Sequence, residues 1–585
     1  MTRFLPLGLA LTMLAAAAPL HAAPAPSADA RLKALYTSEY AWRRTIEGPD
    51  EDNKDAPPVL PDVGPAMQAA KLTRWTRTLA ALDAIRTADL SPAGRVNYAV
   101  YRQQIVALLN EQKFRDYEKP LNSDSSFWGN VAEAARGDFV REQDYRNYLA
   151  MLRSVPRFFD QNVVNMRAGL KRGFTPSRIT LKGRDIGVAQ VVEAGSGEAS
   201  PFYAPFRTMP SAIPAATQAL LRGEAIAAIR DQVVPAHRAL LAFLRDDYIP
   251  GARTTLAAYD LPDGHAYYQS KIDEFTTEAR TAEEVHAIGL AEMARIRTRM
   301  QAVMTAAGFK GDLPAFLTFL RTDPQFYART PQDLLDRAAW IAKTFDGKAS
   351  QWFGRLPRSR FAIRPVPADL APFYTGGRGG PGIYLVNTYN LPSRPLYSLA
   401  ALTLHESAPG HAFQMPLAAE NKDLPAFRRD TYLSVYGEGW ALYCEALGEE
   451  MGMYQTPYEV FGMLSYQAWR ASRLVVDTGI HARGWSREQA QRYLHDNTAL
   501  ADHEIETEVD RYIAWPGQAL SYYMGALAIQ RARARAEKAL GAKFDIRAFH
   551  DAVLALGSVP VPEIDRRIDR LIADGGKGPY PDEEP

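Results

Sequence analysis

The stretch "LTLHESAPGHAFQ" (402–414) carries His405, Glu406 and His411. Two imidazoles and a carboxylate this close together suit zinc chemistry, with the histidines holding the ion and the glutamate working on its water. In the usual H-E-x-x-H helix the histidines are four residues apart and share one face. Here they are six apart, with Pro409-Gly410 between them. A regular helix would set His411 about 120° around and about 9 Å along from His405, too far for one tetrahedral ion. Pro409 lacks a backbone N–H, and Gly410 tolerates backbone angles costly to other residues. The pair alone leaves two readings open: a zinc site on an interrupted helix, or two ordinary polar residues at a helix end. The zinc reading makes one demand, that the helix bulge or break at Pro409-Gly410.

Further residues have the chemistry to complete such a site. "YLSVYGEGWALYCEALGEEMG" (432–452) holds Glu438 and Glu445, seven residues apart and therefore about two turns apart on one helical face. Their neighbours are largely apolar, and buried acids need partners or a metal. Tyr522 and Tyr523, after the Pro-Gly turn in "WPGQALSYYMGALAI", are candidate donors to a developing oxyanion. His481 is a candidate hydrogen-bond partner of substrate or transition state. Arg473 and Arg483 are candidates for a peptide's terminal carboxylate. "GIYLVNTYNL" (382–391) could pair with an extended substrate, with Asn387 and Tyr389 lining the site. The remaining histidines have no metal-ligand companion at useful spacing, and no G-x-S-x-G serine motif is present.

Most of the chain has helical periodicity, as in 91–119 and 270–308, with start signals at Thr281 (Glu284 three residues on) and at Thr330 before Pro331. Strand signals are confined to 359–367 and 382–391, with the glycine-rich 368–382 expected as a mobile loop between them. The expected organisation is a signal peptide (1–22), an N-terminal helical lobe (23–355), a catalytic zinc-binding helical lobe (356–575) and a disordered tail (576–585). Arg3 followed by an apolar run and Leu20-His21-Ala22 reads as a cleavable secretory signal, since no charged stop-transfer segment follows.

The segments "TAEEVHAIGLAEM", "GIYLVNTYNLPSRPLYSLAALTLHESAPGHAFQ", "GEGWALYCE", "RLVVDTGIHARGWSREQA" and "YIAWPGQALSYYMGALAI" resemble, along nearly the whole mature chain, the bacterial family catalogued as domain of unknown function 885. His-Glu, a later His and a downstream E-x6-E also resemble the gluzincin metallopeptidases. Thimet oligopeptidase and carboxypeptidase Taq are similar in the E-x6-E element, and dipeptidyl peptidase III in its lengthened first motif. The resemblance implies that His405, His411 and Glu438 hold one zinc ion, that Glu406 is general base on the water in the fourth position, and that Glu445 orients a ligand histidine. The spacing Gly517 to Gly525 resembles carboxypeptidase Taq and implies Tyr522 as the oxyanion donor, with Tyr523 in reserve. Many members carry two consecutive histidines after the Pro-Gly, whereas this chain has His411-Ala412, which singles out His411. The implied fold is mainly α, with two helical lobes flanking a deep, neurolysin-like cleft and a small β element before the zinc helix.

Composition fits this reading. The 585 residues are 47% hydrophobic and 23% charged, with a net charge of +1, so nothing marks a nucleic-acid partner or, after signal cleavage, a membrane surface. Cys444 is the single cysteine, which excludes an intrachain disulfide and, being far from the apolar start, gives no lipid-attachment site there. The expected function is zinc-dependent hydrolysis of short peptides in the periplasm or outside the cell. The alternatives are a zinc amidase acting on peptide-like cell-wall fragments, and a non-catalytic peptide-binding protein with a vestigial metal site. The sequence fixes neither cleavage specificity nor oligomeric state.

Overall fold

The computed structural model describes residues 26–48, 58–122, 125–368 and 370–578. The expected signal peptide and residues 579–585 of the expected tail lie outside them. The chain is mainly helical, with one small sheet.

Local signals set many of the helix ends. Helices α1 (Ala28–Ile46) and α2 (Pro92–Phe114) start at Ser27 and Ser91, whose hydroxyls accept the backbone N–H groups of Ala30 and Gly94. The periodicity at 270–308 proves to be two helices, Gly264–Thr276 and α3 (Ala282–Ala306). They part at Thr277, which takes a left-handed φ of 54°. Thr281 and Glu284 form the expected capping box at the start of α3, and Thr330 caps Pro331–Asp346.

The sheet comprises β1 (Ala362–Pro365), β2 (Gly377–Gly380) and β3 (Ile383–Val386) in the order β1-β3-β2. β3 runs parallel to β1 and antiparallel to β2. Two expectations are corrected. The glycine-rich segment is partly a strand, and β3 is central, so neither edge is free to take a substrate backbone. Then come α4 (Leu399–Glu406), α5 (His411–Glu420), α6 (Ser434–Glu450), α7 (Pro457–Arg483), α8 (Asp502–Ala514) and α9 (Ser521–Leu540).

The buried residues of one apolar core all fall within 121–252, with Leu60 and Val63 packed against them. The two larger ones tie the chain before residue 355 to the chain after it. In one, Val285, Ile296 and Phe316 pack with Leu474, Val509 and Leu520. In the other, Leu32, Trp75 and Val100 join Trp440, Ile529 and Phe549. Cys444 is buried in this second core, and burial pushes its thiol well above the usual range, so it is a packing residue.

Helices α6 and α9 meet at glycine. A Cβ on Gly439 would lie 2.5 Å from the Gly525 backbone, and one on Gly525 would lie 1.9 Å from the Val435 carbonyl oxygen. Only hydrogen fits at this crossing, which brings the Glu438 turn of α6 against the first turn of α9. Gly525→Ala is expected to lower stability by about 2–3 kcal/mol, the cost of forcing backbones apart in a packed core, read as a lower denaturation midpoint.

Candidate metal centre

The helix breaks at the point required by the sequence. α4 ends at Glu406, Ser407 leaves it at φ −97°, ψ −116°, the Ala408–Pro409 peptide is cis, and α5 begins at His411. Gly410 N–H donates back to the Leu404 carbonyl at 3.0 Å. A Cβ at Gly410 would lie 1.8 Å from the His405 carbonyl oxygen, so only glycine lets the chain fold back over the helix end. Buried Trp440 of α6 donates its indole N–H to the Pro409 carbonyl at 2.8 Å and pins the turn. The imidazole centroids of His405 and His411 come within 5.0 Å.

Between them stands Glu438. Its Oε2 lies 3.5 Å from His405 Nε2 and 3.3 Å from His411 Nε2. Ligands of a tetrahedral zinc at 2.0–2.1 Å stand about 3.3 Å from one another, so this spacing suits one ion. One ligand atom from each of the three residues falls within 4.8 Å of the other two, and no other such group occurs among the described residues. His405 Nδ1 is 2.7 Å from Glu445 Oε1, which leaves Nε2 facing the centre. Glu445 is fully buried, and the Arg470 guanidinium lies 3.6 Å from the same oxygen.

The electrostatics call for a cation. Burial opposes a charged His405, yet Glu406, Glu438 and Glu445 lift its pKa to about 10. Burial likewise opposes an ionised Glu438, but His411 and His405 hold its carboxyl well below the usual range. The set therefore binds a proton tightly when no metal is there.

Glu406 lies beside this group, its Oε1 4.0 Å from His405 Nε2. Its Oε2 accepts the Gly379 N–H of β2 at 2.6 Å, and a Cβ on Gly379 would lie 1.6 Å from the Glu406 carbonyl oxygen. Tyr432 donates its hydroxyl to Glu438 Oε1 at 3.0 Å, across a gap that a Gly437 side chain would fill. Tyr432 is 45% exposed, yet desolvation of its inward-facing hydroxyl and then the Glu438 charge, with Tyr522 and Glu406 also acting, raise the phenol well above its usual range. Tyr522 is buried, and its oxygen accepts Arg511 Nη2 at 3.2 Å.

Several expected site residues have other duties. His481 is fully buried with both ring nitrogens on backbone groups: Nδ1 accepts the Ala258 N–H at 3.1 Å, and Nε2 lies 2.8 Å from the Tyr512 carbonyl. Burial depresses it to about 3, so it is a neutral packing residue. Asn387 spends its amide on the carbonyls of Ala371, Tyr374 and Thr375 and its oxygen on the Tyr389 N–H, so it shapes the loop before β2. The Tyr389 side chain is half exposed. Arg473 is buried against Glu508 (2.8 Å) and the Tyr512 hydroxyl (3.0 Å), and Arg483 pairs with Glu283 at the surface. Tyr523 bonds Glu292 (2.9 Å) and Arg295 (3.1 Å) of α3, which directs it away from the reserve role. Sequence reading missed Tyr432, Gly379 and Arg470. The signals lay in the glycine beside Glu438, the glycines before β3, and an arginine within an otherwise apolar helix.

Fold and site together define a mainly helical protein with a buried two-histidine, one-carboxylate group on an interrupted helix and its neighbour. The chain belongs to the family described as bacterial protein of unknown function (DUF885), whose model matches residues 48–568. It is similar to the crystal structure of a candidate lipoprotein from Colwellia psychrerythraea, with 26% identity and a TM-score of 0.85 over 94% of this chain and 100% of that one. A candidate lipoprotein of unknown function from Shewanella oneidensis shares the fold, with 18% identity, a TM-score of 0.70 and the same coverage. No curated protein matches the chain. No helix among the described residues is long and apolar enough to cross a membrane.

Two outcomes are expected from metal titration. Glu445→Gln should weaken zinc binding about 10- to 100-fold, as loss of a carboxylate that orients a ligand histidine does elsewhere. In the metal-free protein His405 keeps its proton until pH passes about 10. A zinc ion bound there would have to displace that proton at neutral pH, so its affinity is expected to climb with pH up to that point. Calorimetry in buffers of different ionisation enthalpy reads the released proton directly.

Proposed function

We propose that this chain is an exported zinc-dependent metallopeptidase that hydrolyses short peptides, in the periplasm or outside the cell. The observation that carries the proposal is the convergence of His405 Nε2, His411 Nε2 and Glu438 Oε2 with Glu406 beside them. A group that only stored a metal would have no use for that extra carboxylate. The signal-like start and the likeness to candidate lipoproteins support an extracytoplasmic location.

Zinc in such a set supplies Lewis acidity toward a scissile carbonyl and lowers the pKa of water toward about 7. The rest is done by the chain. Glu406, steered by the Gly379 N–H, takes a proton from the attacking water and returns it to the leaving amine. Tyr432 holds Glu438 Oε1, so that Oε2 stays between the two histidines. The Tyr522 hydroxyl accepts from Arg511 and keeps its own proton to donate to a developing oxyanion.

Metal analysis and peptide turnover on wild type and Glu406→Gln test the proposal. Both proteins should hold one zinc, with turnover in the variant down by about 10²- to 10⁴-fold. Unchanged turnover in Glu406→Gln sinks the mechanism, and a wild type that takes up no metal sinks the site.

A further inference from the structure

The Tyr522 side chain is gripped by two arginines. The Arg473 guanidinium of α7 lies over its ring, 4.2 Å from the centroid, and 4.5 Å from the Trp469 ring centroid. Arg511 Nη2 of α8 donates to its hydroxyl oxygen at 3.2 Å. Both arginines converge on one carboxylate. Glu508 Oε2 meets Arg473 Nη2 at 2.8 Å, and its Oε1 lies 3.5 Å from Arg511 Nη1. Glu508, Arg511 and Tyr512 stand at i, i+3 and i+4 of α8 and so share one face. The Tyr512 hydroxyl accepts Arg473 Nε and the Trp469 indole N–H, each at 3.0 Å. Arg473 Nη1 has no hydrogen-bond partner, so the place of this guanidinium over the ring depends on Glu508 and Tyr512.

Glu508 is 2% exposed and Arg473 1%. Burial opposes an ionised Glu508, but Arg473 and Arg511 hold its carboxyl below the usual range. A buried network of this kind adds little net stability over apolar packing of similar volume. Its geometry has another use. A tyrosine side chain has two torsions. Here the stacked guanidinium sets the plane of the ring and Arg511 sets its far end. Because the Tyr522 oxygen accepts from Arg511, its own proton is directed elsewhere. The Tyr522 phenol acts on that of Tyr432, which bonds Glu438, and this places the hydroxyl near the metal centre.

We propose that Glu508 is a positioning residue for Tyr522, holding the ring through Arg473 and the hydroxyl through Arg511, so that the phenol points at the oxygen of the reacting carbonyl. The donor role of Tyr522 rests on the peptidase reading, whereas the grip on its side chain does not.

Turnover of quenched-fluorescence tetrapeptides by zinc-loaded protein tests the proposal, in Glu508→Gln, Arg511→Lys, Tyr522→Phe and the variant that combines Glu508→Gln with Tyr522→Phe. Tyr522→Phe should lower kcat by about 10²- to 10³-fold, as loss of one oxyanion donor does. Glu508→Gln should lower kcat by about 10- to 100-fold with KM nearly unchanged, because a displaced donor fails only in the transition state. Arg511→Lys should show the same pattern. The combined variant should be no slower than Tyr522→Phe alone. All variants should hold one zinc, since none alters His405, His411 or Glu438. A wild-type kcat in Glu508→Gln overturns the proposal. So does a loss of full size in the Tyr522→Phe background, since Glu508 then acts elsewhere. The grip is read separately in metal-free protein with a fluorotyrosine in place of Tyr522. Its fluorine resonance should move in Glu508→Gln, and an unmoved resonance overturns the proposal. If the wild type cleaves no peptide, the peptidase reading fails, and the fluorine measurement still decides the grip.

Discussion

A carboxylate and two imidazoles are buried within van der Waals reach of one another, and the rest of the site follows from keeping them there. Taking Glu438 out of water is expensive unless opposite charge meets it. Its Oε2 is met by both Nε2 atoms, which hold it ionised, and the surrounding carboxylates in turn hold a proton on His405. The folded chain thus demands positive charge at one point. A proton supplies it in the metal-free protein, and a divalent ion would supply more of it with better geometry. A metal bound there would compete with the proton for the same atoms, which would link its affinity to pH without any separate switch.

Glycine contacts bring the three side chains together. Gly410 lets the chain turn back over the end of α4, the Gly439–Gly525 contact draws α6 against α9, and Gly437 admits the Tyr432 ring to the Glu438 carboxylate. Each is a position where a Cβ would strike a neighbour rather than one that needs an unusual φ. Gly437 and Gly439 flank Glu438 for close packing. The same principle sets Gly379 against Glu406 and places a backbone N–H on its carboxylate.

How much of this was legible follows from what spacing can and cannot carry. The interval from His405 to His411 demanded a break if both were to meet one ion, and Pro409-Gly410 showed where. The seven-residue interval from Glu438 to Glu445 put two acids on one face, and one now meets the facing Nε2 atoms of His405 and His411 and the other the back of His405. Helical periodicity gave most of the elements, although the long run at 270–308 hid the turn at Thr277, which no proline or glycine announces. The failures share a cause. His481 and Arg473 have the side chains of functional residues, but their partners are backbone groups of Ala258 and Tyr512 or the acid Glu508, brought in from distant parts of the chain. Spacing along one element cannot reveal those. Gly377–Gly380 has no β-branched residue, so its strand character comes from pairing with β3 alone. Tyr432 lies on a segment without periodicity, and only tertiary placement sets its hydroxyl on Glu438.

The three groups of the centre are oriented by unequal means. His405 is fixed by Glu445, which itself lies against Arg470, and Glu438 is fixed by Tyr432. His411 has neither support: its Nδ1 is buried without a hydrogen-bond partner, in contrast to the usual pattern for ligand histidines. Its ring direction must therefore come from the backbone. It is the first residue of α5, directly after the Gly410 turn, and that turn is held by the Gly410 N–H on the Leu404 carbonyl and by Trp440 on the Pro409 carbonyl. The two residues by which this motif exceeds the common spacing are thus more than a tolerated insertion. They form the rigid turn that aims His411, and they do for it what Glu445 does for His405.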